Sequence, residues 1–167
     1  SAASDVYKRQ VNNAIFYHIC IYEDYRLRVN QSYNTKGINR TYSKCKKEKQ
    51  EIESKFEECR LQNYSNLPSR KNCFYVCLEK DVEIWLKELI RHHRYGYQIF
   101  KLSCSGFIFW ADSYLFSDED IRNPQKYWNG CSPSDYNCLV EGLFIGDYDV
   151  IEAVSYTHLT LPTTPYV

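Results

Sequence analysis

Eight cysteines hold most of the chemistry that residue type alone announces: Cys20, Cys45, Cys59, Cys73, Cys77, Cys104, Cys131 and Cys138. An even count in so small a domain points to disulfides and an oxidising compartment. Helical spacing restricts the pairs. Cys45 and Cys59 fall on one predicted helix, about 21 Å apart at the helical rise and beyond disulfide reach. Cys73 and Cys77 stand one turn apart, side by side, and should bond elsewhere. Cys59–Cys73 is the expected pairing, with Cys59–Cys77 its close variant, because an antiparallel helix pair would bring those ends together. Cys131–Cys138 would close a small loop containing Pro133, Cys20–Cys104 would cross-link two strands, and Cys45–Cys77 would remain. Three glycosylation sequons, at Asn30, Asn39 and Asn63, point to the same compartment.

Other constellations are weaker. Cys73 and Cys77 with His92 and His93 supply four ligand-type atoms for zinc, but no CxxC pair is present and adjacent helical histidines diverge by about 100°. Asp118-Glu119-Asp120, beside Asp112, offers oxygen ligands for calcium without EF-hand spacing and reads as capping in a solvated turn. Asp147 and Asp149 share one face of a strand, as a carboxylate pair requires, yet have no partner on another element. A Gly-rich phosphate loop, GxSxG and HExxH are absent. No catalytic residue, metal or cofactor is assigned. The aromatics divide into two sets. Trp85 and Trp110 read as core, with Trp85 anchoring a helix to the sheet. Tyr114, Tyr127 and Trp128 read as exposed contacts for a protein or carbohydrate ligand, because rings in a polar, Pro- and Gly-punctuated stretch suit such surfaces.

The elements that must position these residues follow from periodicity. Residues 14–29 are rich in Ile, Tyr and Phe and predict one strand or two, including Tyr25, Leu27 and Val29. Residues 43–61 predict a helix with Ser43 as N-cap and a narrow apolar stripe of Ile52 and Phe56. Residues 73–94 predict a second, antiparallel to the first, with Val82, Trp85, Leu86, Leu89 and Ile90 on one face. Residues 97–116 predict a hairpin turning at Ser105-Gly106, and the segment from Cys138 to Ala153 a second turning at Gly146-Asp147. Between them Ser117 or Asp118 caps a short helix that Pro124 limits. The fold class is α+β: an N-terminal strand region, a helix pair, then antiparallel hairpins, held by disulfides.

Composition narrows the class further. The 167 residues balance 21 basic against 21 acidic side chains, so nothing suggests a nucleic-acid partner. No apolar run reaches the roughly 18 residues a membrane-spanning helix needs. There is no Met. Residues 1–10, SAASDVYKRQ, resemble the translation of a transposase sequencing adapter, and residues 154–167 begin like that of its reverse complement. On that reading residues 11–153 are the native part, a single domain with both natural termini missing and a net charge near −1.

Late Trp128-Asn129-Gly130 with two late cysteines is similar in outline to C-type lectin domains, and Cys73-x3-Cys77 to insect odorant-binding proteins. The lectin sugar-binding triplets are missing and residues 97–116 read as strands, so neither family is assigned. The expected function is a secreted, luminal or ectodomain recognition domain, cysteine-rich and using exposed aromatics. The alternatives are a piece of an enzyme with a non-local carboxylate or His site, and an intracellular free-thiol or zinc-binding domain.

Overall fold

The computed structural model describes residues 4–21, 27–92 and 96–155. Five strands and four helices occur there, with three short 3-10 turns: β1 (Lys8–Cys20), β2 (Ser32–Asn34), α1 (Arg40–Ser43), α2 (Lys47–Asn63), β3 (Phe74–Val76), α3 (Val82–His92), β4 (Gln98–Asp112), α4 (Asn123–Trp128) and β5 (Val140–Val154). All strands belong to one antiparallel sheet, ordered β1-β4-β5-β2, with β3 also pairing β5. The class is therefore α+β. A backbone bridge between Tyr17 and Cys77 ties the outer edge of β1 to the end of β3. That bridge closes β1, β4, β5 and β3 on themselves and removes two edges that would otherwise be left unpaired.

Neither predicted hairpin forms. Gly106 and Gly146 face each other in the middle of the β4–β5 pair, not at turns. Both have positive φ, +153° and +146°. A Cβ on Gly106 would lie 2.1 Å from the Ile145 carbonyl oxygen, and one on Gly146 would lie 2.3 Å from that of Ser105. The glycines mark a close approach of two backbones, the other structural use of glycine in a strand. Residues 73–77 also depart from the helix expected there. Phe74, Tyr75 and Val76 are aromatic or β-branched, favour a pleated surface, and add to β5. The helix starts only at Val82, after the 3-10 turn Glu79–Asp81. Ser43 ends α1 instead of capping α2. Pro124 opens α4 instead of limiting it, as its fixed φ and missing N–H allow.

Three clusters fill the interior. The first lies within the strand ring and includes Phe16, Leu102, Ile108, Trp110, Phe144 and Val150. The second holds Phe56 of α2, Tyr127 and Trp128 of α4, and Phe109 and Leu143 of the sheet. The third seats α3 on Tyr17, Cys77 and Ile99 through Val82 and Leu86. The two longer helices thus serve different cores. Tyr127 and Trp128, expected as exposed contacts, are wholly buried. Trp128 stacks on Phe109 and its Nε1 donates to the Phe56 carbonyl, 2.8 Å. Trp85 is only half-buried, and Val82 and Leu86 anchor α3 in its place. Short apolar side chains fill the narrow helix–sheet gap, while the indole reaches past it to the Val140 carbonyl, 2.8 Å.

The expected disulfide framework does not form in this structure: among the described residues no two cysteines lie at disulfide-bonding distance. Cys73, Cys77 and Cys104 pack as small apolar groups within the three clusters, and Cys20 joins the first. The Cys131 and Cys138 thiols lie within hydrogen-bonding reach of each other. Burial raises the Cys104 thiol to about 12 and Cys138 likewise to about 12, so neither is a ready nucleophile.

Within the segment matched to the adapter, Lys8, Arg9 and Gln10 pair with Phe109, Ile108 and Phe107 of β4, and Tyr7 packs on the second cluster. The adapter-like residues 156–167, Tyr25 and His93 lie outside the described residues.

Candidate functional site

A cleft of about 600 Å³ opens where β1 and β3 part beyond the Tyr17–Cys77 bridge. Its wall takes His18 from β1, Tyr75 from β3, Glu141 and Tyr148 from β5, and Arg70 from the loop before β3. The segment 34–41 closes one side, and Trp85 of α3 and Phe116 reach in from others.

The loop carrying Arg70 is held rigidly. The Cys73 N–H donates to the Ser69 carbonyl, 3.0 Å, and the Leu67 N–H to that of Tyr64, 2.9 Å. The Asn39 side-chain amide donates to the Arg70 and Cys73 carbonyls, at 2.7 and 2.8 Å, while its oxygen caps α1. A glycan on that nitrogen would replace one of its two hydrogens and remove one of these bonds. Asn30 and Asn63, the other two sequon residues, are exposed.

The Arg70 side chain turns inward and spends its donors on buried partners. Nε donates to both Glu53 oxygens at 3.0 Å, and Nη2 lies 3.0 Å from Glu53 Oε1. Nη1 donates to the Tyr127 hydroxyl and to Glu141 Oε2, each at 2.6 Å. The Tyr127 hydroxyl in turn donates to Glu141 Oε2. The guanidinium lies 3.8 Å over the Phe116 ring, a cation–π contact of the kind arginine favours. Burial opposes the Arg70 charge, but the Tyr127, Tyr75, Glu141 and Glu53 side chains more than offset it and hold the guanidinium protonated. Tyr127 is pushed up, by burial first and by Glu141, and stays a neutral donor. Both bonds to Glu141 fall on Oε2. Glu141 itself lines the cleft.

Across the sheet four rings stack in sequence. His18 lies 4.0 Å from Phe74, Phe74 4.5 Å from Tyr148, and Tyr148 5.5 Å from Tyr33, all within 28° of parallel. His18 Nδ1 lies 2.7 Å from the Tyr75 carbonyl oxygen. A carbonyl only accepts, so Nδ1 carries the hydrogen and Nε2 is left as an acceptor. Burial lowers the imidazole to about 4, against the bond to Tyr75. At neutral pH the ring is uncharged.

The residues singled out in the sequence sit elsewhere. Tyr127 reaches the site only through its hydroxyl. Tyr114 is exposed at 58 % and does not line the cleft. Asp112 accepts from the Tyr114 and Leu139 N–H groups, and Asp120 pairs with Arg122. Asp147 and Asp149 accept from Asn34 and Ser32 at the β2 edge. Among the described residues no three His, Cys, Asp or Glu converge to hold a metal, and no helix is long and apolar enough to cross a membrane. The reading by motif missed His18, Glu53, Arg70 and Glu141. Only Glu141 carried a signal, as one charge inside the apolar run Cys138–Ile145.

No curated protein matches the chain. One family model matches residues 4–156, nearly the whole of it, and the chain therefore belongs to that family, described as a protein of unknown function, DUF2441.

Proposed function

We propose that the chain is a binding domain for a small, hydroxyl-bearing ring compound that enters the cleft between β1 and β3. One observation carries the reading: Glu141 is buried, its Oε2 fixed by Arg70 and Tyr127, and it lines the cleft. A buried carboxylate with one oriented lone-pair face recognises donors such as sugar hydroxyls. His18 Nε2 adds a second neutral acceptor. Trp85 gives an apolar face against which a ring can lie. The ligand-recognition role expected from the aromatics is kept, but the ring that serves it is a different one.

The three tryptophans supply the test. Trp85 lines the cleft, whereas Trp110 and Trp128 lie in the first and second cores. Titration with a panel of monosaccharides and nucleosides, followed through the indole N–H resonances, should move the Trp85 signal and leave that of Trp128 in place. Glu141→Gln should abolish the shift. Binders that move only Trp128, or bind equally to Glu141→Gln, refute the reading.

A neutral imidazole and a carboxylate on the walls of one cleft also favour the alternative, an enzyme with a non-local carboxylate and His site. Conversion of a bound compound, lost in His18→Asn, would distinguish the two. The exposed sequons at Asn30 and Asn63 support a secreted or luminal location, the lack of any disulfide at bonding distance among the described residues opposes it, and endoglycosidase treatment of the native protein tests it.

A further inference from the structure

Residues 131–138, away from the cleft, form a loop that returns on itself. The Asp135 N–H donates to the Ser132 carbonyl, 3.1 Å, and the Cys138 N–H to the Asp135 carbonyl, 3.3 Å, so two turns follow each other directly. Ser132 and Asp135 in first position and Pro133 in second suit such turns. The Asn137 N–H donates to Asp135 Oδ1, 2.9 Å, and braces the second. Both ends of the loop are fixed to neighbouring points at the end of β4. The Cys131 N–H donates to the Trp110 carbonyl, 3.1 Å. The Leu139 N–H donates to Asp112 Oδ1, 3.0 Å, two residues further along. At the strand rise those points are about 7 Å apart, close to the roughly 4.4–6.8 Å between the Cα atoms of a disulfide. Both cysteine side chains pack on the first cluster, and their thiols are within hydrogen-bonding reach. Tyr136 between them is 92 % exposed, so the loop meets solvent.

We propose that Cys131 and Cys138 are a reversible dithiol–disulfide pair, closed by a small disulfide such as oxidised glutathione and reopened by thiols. Cys138 is the less buried of the two. Its thiolate attacks one sulfur of the glutathione disulfide, the S–S bond breaks, and one glutathione thiolate leaves. The Cys131 thiolate then attacks the Cys138 sulfur of the mixed disulfide, and the second glutathione leaves. The two cysteine protons pass to the two glutathione thiolates. The cysteines are oxidised and the glutathione disulfide is reduced to two thiols. Burial raises both cysteine thiols, so the first attack is slow and the pair follows a sustained redox poise, not a brief pulse. Asp112 loses the Cys138 S–H as a donor but keeps the N–H groups of Tyr114 and Leu139.

The test takes the reduced full chain to equilibrium in glutathione buffers running from fully reduced to fully oxidised. Samples are quenched in acid, alkylated after denaturation and mapped by peptide mass spectrometry. In the oxidised buffer two of the eight thiols should be lost, in a single Cys131–Cys138 link, and dithiothreitol should restore both. The link closes a short loop and restricts the unfolded chain. The urea midpoint of the wild type should therefore rise on oxidation, and that of Cys138→Ser should not. A first bond between any other two cysteines, glutathione retained on Cys138 without closure, or eight intact thiols in oxidised glutathione overturns the proposal. So does a wild-type midpoint that fails to rise, because the loop would then have to distort in order to bond.

Discussion

Arg70→Met is the sharpest test of how the site is held. Arg70 is 6 % exposed, and its partners Glu53 and Glu141 are 4 % and 7 % exposed. Among the described residues both Glu53 oxygens are bonded only to Arg70, so the substitution strips that carboxylate of its partner, while Glu141 keeps the Tyr127 hydroxyl. Removing one partner of a buried ion pair leaves an uncompensated charge and typically costs about 3–5 kcal/mol. A domain of this size has about 5–15 kcal/mol in all. Urea denaturation at pH 7 should therefore find Arg70→Met marginal. Most of the loss falls on Glu53, so Arg70→Met/Glu53→Gln should recover more than half of it. The sign with pH follows. An orphaned carboxylate has its folded pKa raised above its unfolded one, so the deficit is full above the folded value and disappears as pH falls toward about 4. The exposed Glu83–Lys87 pair, 43 % accessible on each side, is the control, and Lys87→Ala should cost less than about 0.5 kcal/mol. If Arg70→Met loses under about 1 kcal/mol, or its deficit does not shrink in acid, the guanidinium is not what neutralises this interior.

Four further outcomes are expected. Trp128→Ala, which empties a fully buried site and removes the bond to Phe56, should cost about 3–5 kcal/mol in urea denaturation, and Tyr114→Ala less than about 0.5 kcal/mol. Gly106→Ala should cost at least the roughly 1–3 kcal/mol of a strained backbone, because its Cβ also meets the Ile145 oxygen, whereas Gly37→Ala, at positive φ in open space, should lose only about 1 kcal/mol. His18 is depressed from 6.5 to about 4, so the unfolded chain binds the extra proton first: stability should fall as pH drops from 6.5 toward 4, and His18→Phe should flatten that part of the profile. Thiol titration of the denatured, unreduced protein should find all eight cysteines reactive; four or fewer would restore a disulfide framework.

The class of the fold was legible because it depends on period alone. Alternation along residues 97–116 and the 3.6-residue stripe of α3 require no knowledge of what lies opposite. Errors arose where a residue has two structural uses. Glycine serves turns and close backbone approaches equally, and Gly106 and Gly146 are of the second kind because each faces the other across β4 and β5. Rings in polar stretches serve contacts and caps over a core alike. Trp128 sits in a Pro- and Gly-punctuated segment because α4 is a single short helix pressed over Phe56 and Phe109, and Gln125, Lys126 and Asn129 around it are exposed. Even cysteine counts serve bridges and small apolar packing, and Cys73, Cys77 and Cys104 do the latter.

The site was illegible for a different reason. Its residues come from β1, α2, the 64–72 loop and β5, and each looks ordinary in place. Glu53 lies in a helix whose neighbours are Glu, Ser and Lys, so it reads as a solvated face. Arg70 lies between Ser69 and Lys71 and reads as loop surface. Only the register of β5 against β3 sets Glu141 beside Arg70, and only the packing of α2 against α4 turns Glu53 inward. Glu141 alone breaks a pattern, as one charge in the run Cys138–Ile145 where each neighbour is apolar or Gly. Burying it uncompensated would oppose folding, so the pattern itself requires a buried cation elsewhere in the chain. Among the described residues Arg70 is the one buried arginine or lysine, and it ends the buried stretch that begins at Leu67. A lone charge in an apolar strand is therefore a demand for a distant partner, and it marked this site where the motifs did not.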